Sequence, residues 1–307
     1  MKNIFIIALF LLISLSLKAQ NIPISDSLIH KISVLKFEEY AENVEEHEQI
    51  TQQLSKEIVG YTNQKKDSVF GALVVLYDNF DADKDNELII FMGYVWESEI
   101  LTFDKINNQW FLIYREDITL GNSLDLDYGI NIIQDTPLIR VKHRHGSGTG
   151  MYVDEYLFYR FTQSGFKKVL TLGGKHWVSS GSILYLNFDL HTQFYTHSSG
   201  EIDAIIESKF YLPYKSETRE LSSIILFEKT VKISFEWNKE KEEYQPVFSK
   251  ENNLSEQQQE FLLLQKENQK LFYQLFKLEI EKVRKTLSGK KLDVLNEWIE
   301  HMEKQTK

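Results

Sequence analysis

Between two apolar runs of this 307-residue chain stands Asn79-Phe80-Asp81-Ala82-Asp83-Lys84-Asp85-Asn86-Glu87-Leu88. Oxygen-bearing side chains at alternate positions of a tight turn can converge on one point, and a hard divalent cation such as calcium takes about six to eight oxygens at about 2.3–2.6 Å. Counting Asn79 as position 1, side-chain oxygens fall at positions 1, 3, 5 and 9, namely Asn79, Asp81, Asp83 and Glu87. Asp85, at position 7, offers its backbone carbonyl. The residue types therefore point to a calcium site formed by Asn79, Asp81, Asp83, Asp85 and Glu87. Acids this close repel one another unless something positive lies near, either a cation or Lys84. The competing reading is a solvated turn, because Asp and Asn form turns well in their own right.

An EF-hand fits poorly. Its twelfth position demands a bidentate acid, and counting from Asn79 or Asp81 puts Ile90 or Met92 there. The segment instead resembles the strand–loop–strand cation loop of FG-GAP/VCBS-type repeats, whose pattern runs roughly D-x-D-x-D-G-x-x-D/E-L. Asn79, Asp81, Asp83, Glu87 and Leu88 stand at the matching positions, and Lys84 stands where the family has Gly. The resemblance covers residues 72–96 in a single copy. It implies a loop that binds calcium and staples two strands instead of performing chemistry.

His143-Arg144-His145-Gly146-Ser147-Gly148-Thr149-Gly150 is the second segment with chemical potential. Two His at i and i+2 of a strand share a face and could meet one metal or anion. Asp154, Glu155, His176, His191 and His197 are available as third ligands. The alternative is a polar strand end entering a Gly-rich hairpin loop, and that reading is preferred. Other motifs fail on inspection. The glycines run G-x-G-x-G ahead of a strand, which is no dinucleotide fingerprint. Gly148 occupies the place of a nucleophile-elbow serine. Gly173-Gly174-Lys175 lacks the flanking residues of a P-loop, and His47-Glu48 is followed by Thr51 where a zincin needs His.

The elements that must position these residues follow from hydrophobic periodicity. Phe37, Tyr40, Val44, His47, Thr51, Leu54 and Ile58 recur at spacings of three and four, which predicts one amphipathic helix over residues 25–59. From residue 68 to 248 the pattern becomes short runs rich in Val, Ile, Tyr, Phe and Trp. Polar turns such as Asn107-Asn108, Ser164-Gly165 and Ser199-Gly200 separate them, as in antiparallel hairpins. Ser223–Lys229 and Lys232–Trp237 read as separate strands, and Asn238–Glu242 as a hairpin turn. Near Ser255 the pattern returns to helix. Gln258 follows as a capping-box partner, a long helix extends to about Leu287, and Ser288-Gly289 precedes a last short helix. The expected fold is α+β: an antiparallel β-rich body (a propeller-like fragment, sandwich or open barrel) with an N-terminal helix and two C-terminal helices.

Composition bounds the function. There are 35 Lys and Arg against 45 Asp and Glu, and no Cys, which removes thiolate zinc sites and Cys nucleophiles. The net charge of −10 argues against nucleic acid as a partner. Residues 21–120 hold 19 acids against 8 bases, so the acidity is concentrated where the loop lies. The opening MKNIFIIALFLLISLSLKAQ reads as a signal peptide with cleavage expected after Ala19. No transmembrane span is expected after cleavage. The division expected is a signal peptide at 1–19, an N-terminal helical segment at 20–67, the β-body at 68–248, and a helical pair at 249–307 packed on the body as one unit. Together these point to a periplasmic or secreted, non-catalytic binding or scaffolding module for an unidentified protein or envelope component. The alternative is a metal-dependent hydrolase or other enzyme using the His143/His145 face.

Overall fold

The structure, a computed structural model, describes residues 22–33, 38–39, 49, 52–54, 56–57, 70–81, 83–94, 97–119, 127–133, 136–148, 151–178, 187–213, 216–264 and 268–304. Residues 1–19, expected to be a signal peptide, and most of the stripe from Phe37 to Ile58 lie outside them. The chain divides into two units, residues 1–124 with 161–167, and residues 125–160 with 168–307.

The first unit contains β1 (Ile22–Ile24), α1 (Asp26–Ser33), β2 (Glu38–Glu39), β3 (Phe70–Asp78), β4 (Glu87–Tyr94), β5 (Glu97–Ile106) and β6 (Gln109–Thr119). They form one antiparallel sheet in the order β1-β6-β5-β4-β3-β2. Asn107 and Asn108 both take positive φ, at 53° and 64°, which suits the tight β5–β6 hairpin to the strand twist. Strand alternation sends Leu88 and Ile90 of β4, with Leu101 and Phe103 of β5, into one core. There they meet Leu28, Ile29 and Ile32 of α1, and Leu54. Ile89 and Phe91 are buried as well, so β4 is covered on both faces, as a central strand should be.

The single helix expected over residues 25–59 is corrected. Helix α1 stops at Ser33, and Glu38–Glu39 pair with Leu73 and Ala72 of β3 as an edge strand. Residues 52–54 and 56–57 are helical again. Glu57 accepts hydrogen bonds from the Ser25 amide (2.7 Å) and hydroxyl (2.8 Å), holding the start of α1. Of the stripe residues only Leu54 is described, in the second helical stretch, and between the two stretches Glu38–Glu39 take ladder partners 33 to 35 residues away.

The second sheet is a meander of eight antiparallel strands in sequence order, within the second unit except for residues 161–167 around the β9–β10 turn. They are β7 (Asp127–Ile133), β8 (Thr136–Gly148), β9 (Met151–Thr162), β10 (Gly165–Val178), β11 (Phe188–Thr196), β12 (Ile202–Tyr211), β13 (Ile225–Asn238) and β14 (Glu243–Phe248). The fold is thus α+β and mostly antiparallel β, with sheets of six and eight strands instead of the four-stranded blades of a propeller. The two strands expected at 223–229 and 232–237 are one, because the chain pairs with β12 at every residue from Phe227 to Phe235. The Asn238–Glu242 turn forms as expected, with the Asn238 carboxamide oxygen accepting from the amides of Glu240 and Lys241.

Three helices follow: α2 (Glu256–Leu263), α3 (Gln269–Arg284) and α4 (Lys290–Lys304). Ser255 and Gln258 make the expected capping box at α2. The long helix expected after it is two, because the Asn268 side chain accepts from the Leu271 amide and caps a new start. Phe272 and Phe276 of α3 meet Phe210 of β12 at ring-centre distances of 4.6 and 5.9 Å, joining helices and sheet in one core. Asn252 bonds both the amide and the carbonyl of Lys232, continuing the β13 ladder one residue past the Ile233–Phe248 pair. Among the described residues no helix is long and apolar enough to cross a membrane.

Candidate metal centre

Strands β3 and β4 pair down to Asp78 opposite Glu87, and residues 79–86 form the turn between them. Short polar side chains fold the turn. The Asp83 amide donates to Asp81 Oδ1 at 3.0 Å, the Asp85 amide to Asp83 Oδ1 at 2.7 Å, and Asn79 Nδ2 to the Asp83 carbonyl at 2.7 Å. Each bond bends the backbone back on itself, the Asx-turn chemistry that makes Asp and Asn common here. Phe80 is buried and anchors the turn from below.

Glu87 is the unusual member. It is fully buried at the first position of β4, and its Oε2 accepts from the Phe80 amide at 2.5 Å and the Asp81 amide at 3.3 Å. Its Oε1 is buried with no hydrogen-bond partner. One ligand oxygen each of Asp81, Asp83 and Glu87 lies within 4.8 Å of the other two. Burial, reinforced by Asp81, Asp104 and Asp83, pushes the Glu87 carboxyl up to about 7 against the opposing Phe80 hydrogen bond. Such an arrangement is costly for a protein on its own, since each charge opposes the next and a buried acceptor is left empty. A divalent cation would relieve both faults.

The structure thus brings Asp81, Asp83 and Glu87 together. Asp85 is not in that trio, and Asn79 engages the Asp83 carbonyl through its amide nitrogen. Lys84 is exposed. Sequence reasoning missed Asp104 of β5. Burial raises its carboxyl above the usual range, and Asp81, Asp83 and Asp85 raise it further against a hydrogen bond from the Lys105 amide. The pairing of Leu88 with Phe103 places Asp104 beside Glu87. That juxtaposition requires knowing which strand follows β4, and no local pattern carries it.

The segment around His143 sits on β8, where His143 pairs with Glu155 and Arg144 with Asp154. The register then shifts, and Gly146 pairs with Val153. His145 falls at this irregularity of the ladder.

A different polar cluster stands on β12 and β13. Asp203 accepts from Ser234 Oγ at 2.6 Å, pairs with Lys232 Nζ at 2.8 Å, and lies 2.8 Å from His197 Nε2. All three converge on the carboxylate, with Ser234 Oγ bonded to Asp203 instead of to the imidazole, so the arrangement is a clamp across strands and not a nucleophilic triad. Burial alone would raise the Asp203 carboxyl, but the bonds from Lys232, Ser234 and His197 outweigh it and hold it at about 2. That stabilisation is complete above the unfolded value of about 3.9 and is lost as the pH falls through about 2. Asp203→Asn is therefore expected to lower stability at neutral pH by about 1–3 kcal/mol. The deficit should shrink below about pH 4, which urea unfolding at several pH values would check.

The class these features define is an α+β chain of two antiparallel sheets with an acidic hairpin loop. No family model, curated protein or solved structure matches it.

Proposed function

We propose that this chain is an exported, non-catalytic binding or scaffolding module in which calcium, held by the Asn79–Glu87 loop, staples β3 to β4. The observation that carries the metal reading is the buried, partnerless Glu87 Oε1 beside Asp81 and Asp83. Three carboxylate oxygens supply part of the six to eight or so that calcium takes, leaving loop carbonyls and water for the rest. The loop's place between two antiparallel strands agrees with the FG-GAP/VCBS-like pattern of residues 79–88. Export, to the periplasm or beyond the cell, rests on the first twenty residues. The partner is a protein or envelope component. A net charge of −10 disfavours nucleic acid.

Thermal unfolding with excess calcium and with chelator tests the metal. At about one hundred times its dissociation constant, a ligand that binds only the folded state adds about 2.7 kcal/mol. The midpoint is expected to rise with calcium, and Asp81→Ala with Asp83→Ala to abolish the rise. Proton and cation compete for Glu87, so the calcium effect should weaken below about pH 7. A midpoint indifferent to calcium at pH 8 would reduce the loop to a solvated turn.

A further inference from the structure

The eight-stranded sheet of the second unit curls strongly. Asn131 Nδ2, on the edge strand β7, donates to Thr196 Oγ1 on β11 at 3.2 Å, although three strands separate β7 from β11. In a flat sheet those two strands would lie about 19 Å apart. The curl leaves a cavity of about 540 Å³, lined by Asn131, Arg140, Tyr156 and the β11 segment 191–196. Its volume falls within the range of about 300–1,000 Å³ typical of small-molecule sites.

Arg140 is fixed there by its surroundings. It pairs with Gly129 across β7 and β8, and a Cβ at residue 129 would stand 2.9 Å from its Nη2 and 3.2 Å from its Cζ. The guanidinium carbon lies 5.5 Å from the Phe194 ring centre and 5.9 Å from that of Tyr156, distances at which the rings attract the charge. The two rings meet edge to face at 4.9 Å.

Two observations point to an anion. The described lining residues include no Asp or Glu, in a chain with ten more acids than bases. Thr192, which also lines the cavity, is 3% exposed, and its hydroxyl has no hydrogen-bond partner. A buried hydroxyl forfeits the bonds it had in water, so an orphan on a residue in the wall of a cavity is a group that a bound molecule can partner. Arg140 is the one permanent charge among the described lining residues, which matches a monoanion, whereas a phosphate monoester calls for a second cation, a place His191 alone could fill. The aromatic walls suit carbon next to the charge.

We propose that this cavity binds a small carboxylate-bearing molecule. The carboxylate sits on the Arg140 guanidinium and the Thr192 hydroxyl, and the carbon body lies against Tyr156 and Phe194. The site does not depend on the calcium loop. Isothermal titration calorimetry of the full protein with glucuronate, benzoate, glucose and inorganic phosphate tests it. At least one of the two carboxylates should bind, with glucose and phosphate weaker by about tenfold or more. Arg140→Gln should weaken carboxylate binding about tenfold or more, and Thr192→Val about threefold or more. Thr192→Val should unfold at the parent's temperature or above it, because no internal hydrogen bond is removed. Glucuronate binding tighter than benzoate supports the proposal with an acidic sugar as the source, and the reverse order supports it with a simple organic acid. The proposal is overturned by no binding of either carboxylate at millimolar concentration, or by phosphate binding as well as they do. Affinity unchanged in both variants, or a Thr192→Val protein less stable than the parent, also overturns it.

Discussion

Arg115→Ala is expected to destabilise the protein by about 3–5 kcal/mol, far more than the loss of an ordinary surface charge. Glu99 on β5 is fully buried, and Arg115 Nε on β6 lies 2.8 Å from its Oε1. Register places both residues on one face of the sheet, since Glu99 pairs with Asp117 and Arg115 with Leu101. Asp117 adds a second, longer contact of 3.8 Å to the guanidinium. Removing Arg115 leaves a carboxylate in the interior with its counter-charge gone, and desolvation then dominates. The penalty falls on the buried charge itself, so removing that charge should remove it. Adding Glu99→Gln to Arg115→Ala should therefore recover a large share of the loss, a coupling that a double-mutant cycle measures directly. Urea midpoints of the single variant within about 0.5 kcal/mol of the parent would show that Glu99 finds adequate partners without Arg115.

Trp298→Ala is expected to cost a similar amount, about 3–5 kcal/mol, through the cavity it opens. Trp298 of α4 is fully buried, meets the Tyr273 ring edge-on at 5.6 Å, and donates from Nε1 to Gln269 Oε1 at 3.1 Å. Both partners belong to α3, whose Phe272 and Phe276 continue into the sheet core. The indole therefore bridges the last helix to the rest of the unit. Trp298→Phe keeps most of the apolar volume but loses the donor, and should cost distinctly less. If Trp298→Ala left the equilibrium unfolding curve in place, the C-terminal helices would be peripheral to the cooperative core.

Much of the candidate metal loop was legible because its physics is local. Asp and Asn at alternate positions fold the turn through bonds of two to four residues' reach, and strand patterning on either side fixes where the turn begins. The capping box at Ser255 and the Asn107-Asn108 hairpin were legible for the same reason. The helix over residues 25–59 was misread where a long-range ladder competed with local periodicity. Glu38–Glu39 took up pairing with β3, which a window along the chain does not contain. The long C-terminal helix was misread for a local reason, since Asn268 caps a new start within a stretch that remains periodic.

The sequence by itself determined the α+β class, the antiparallel character of the strands, the hairpin turns and the acidic loop, because each is set by residues within a few positions of one another. Only the tertiary structure decided how the strands divide between two sheets, that Glu87 is buried with an empty oxygen, and that Asp104 lies beside it. It alone curled β7 toward β11 to leave a cavity around Arg140 and Thr192. These features depend on which strands become neighbours and how far the sheet twists. Both are settled by burying apolar faces drawn from the whole chain, and no short stretch of residues encodes them.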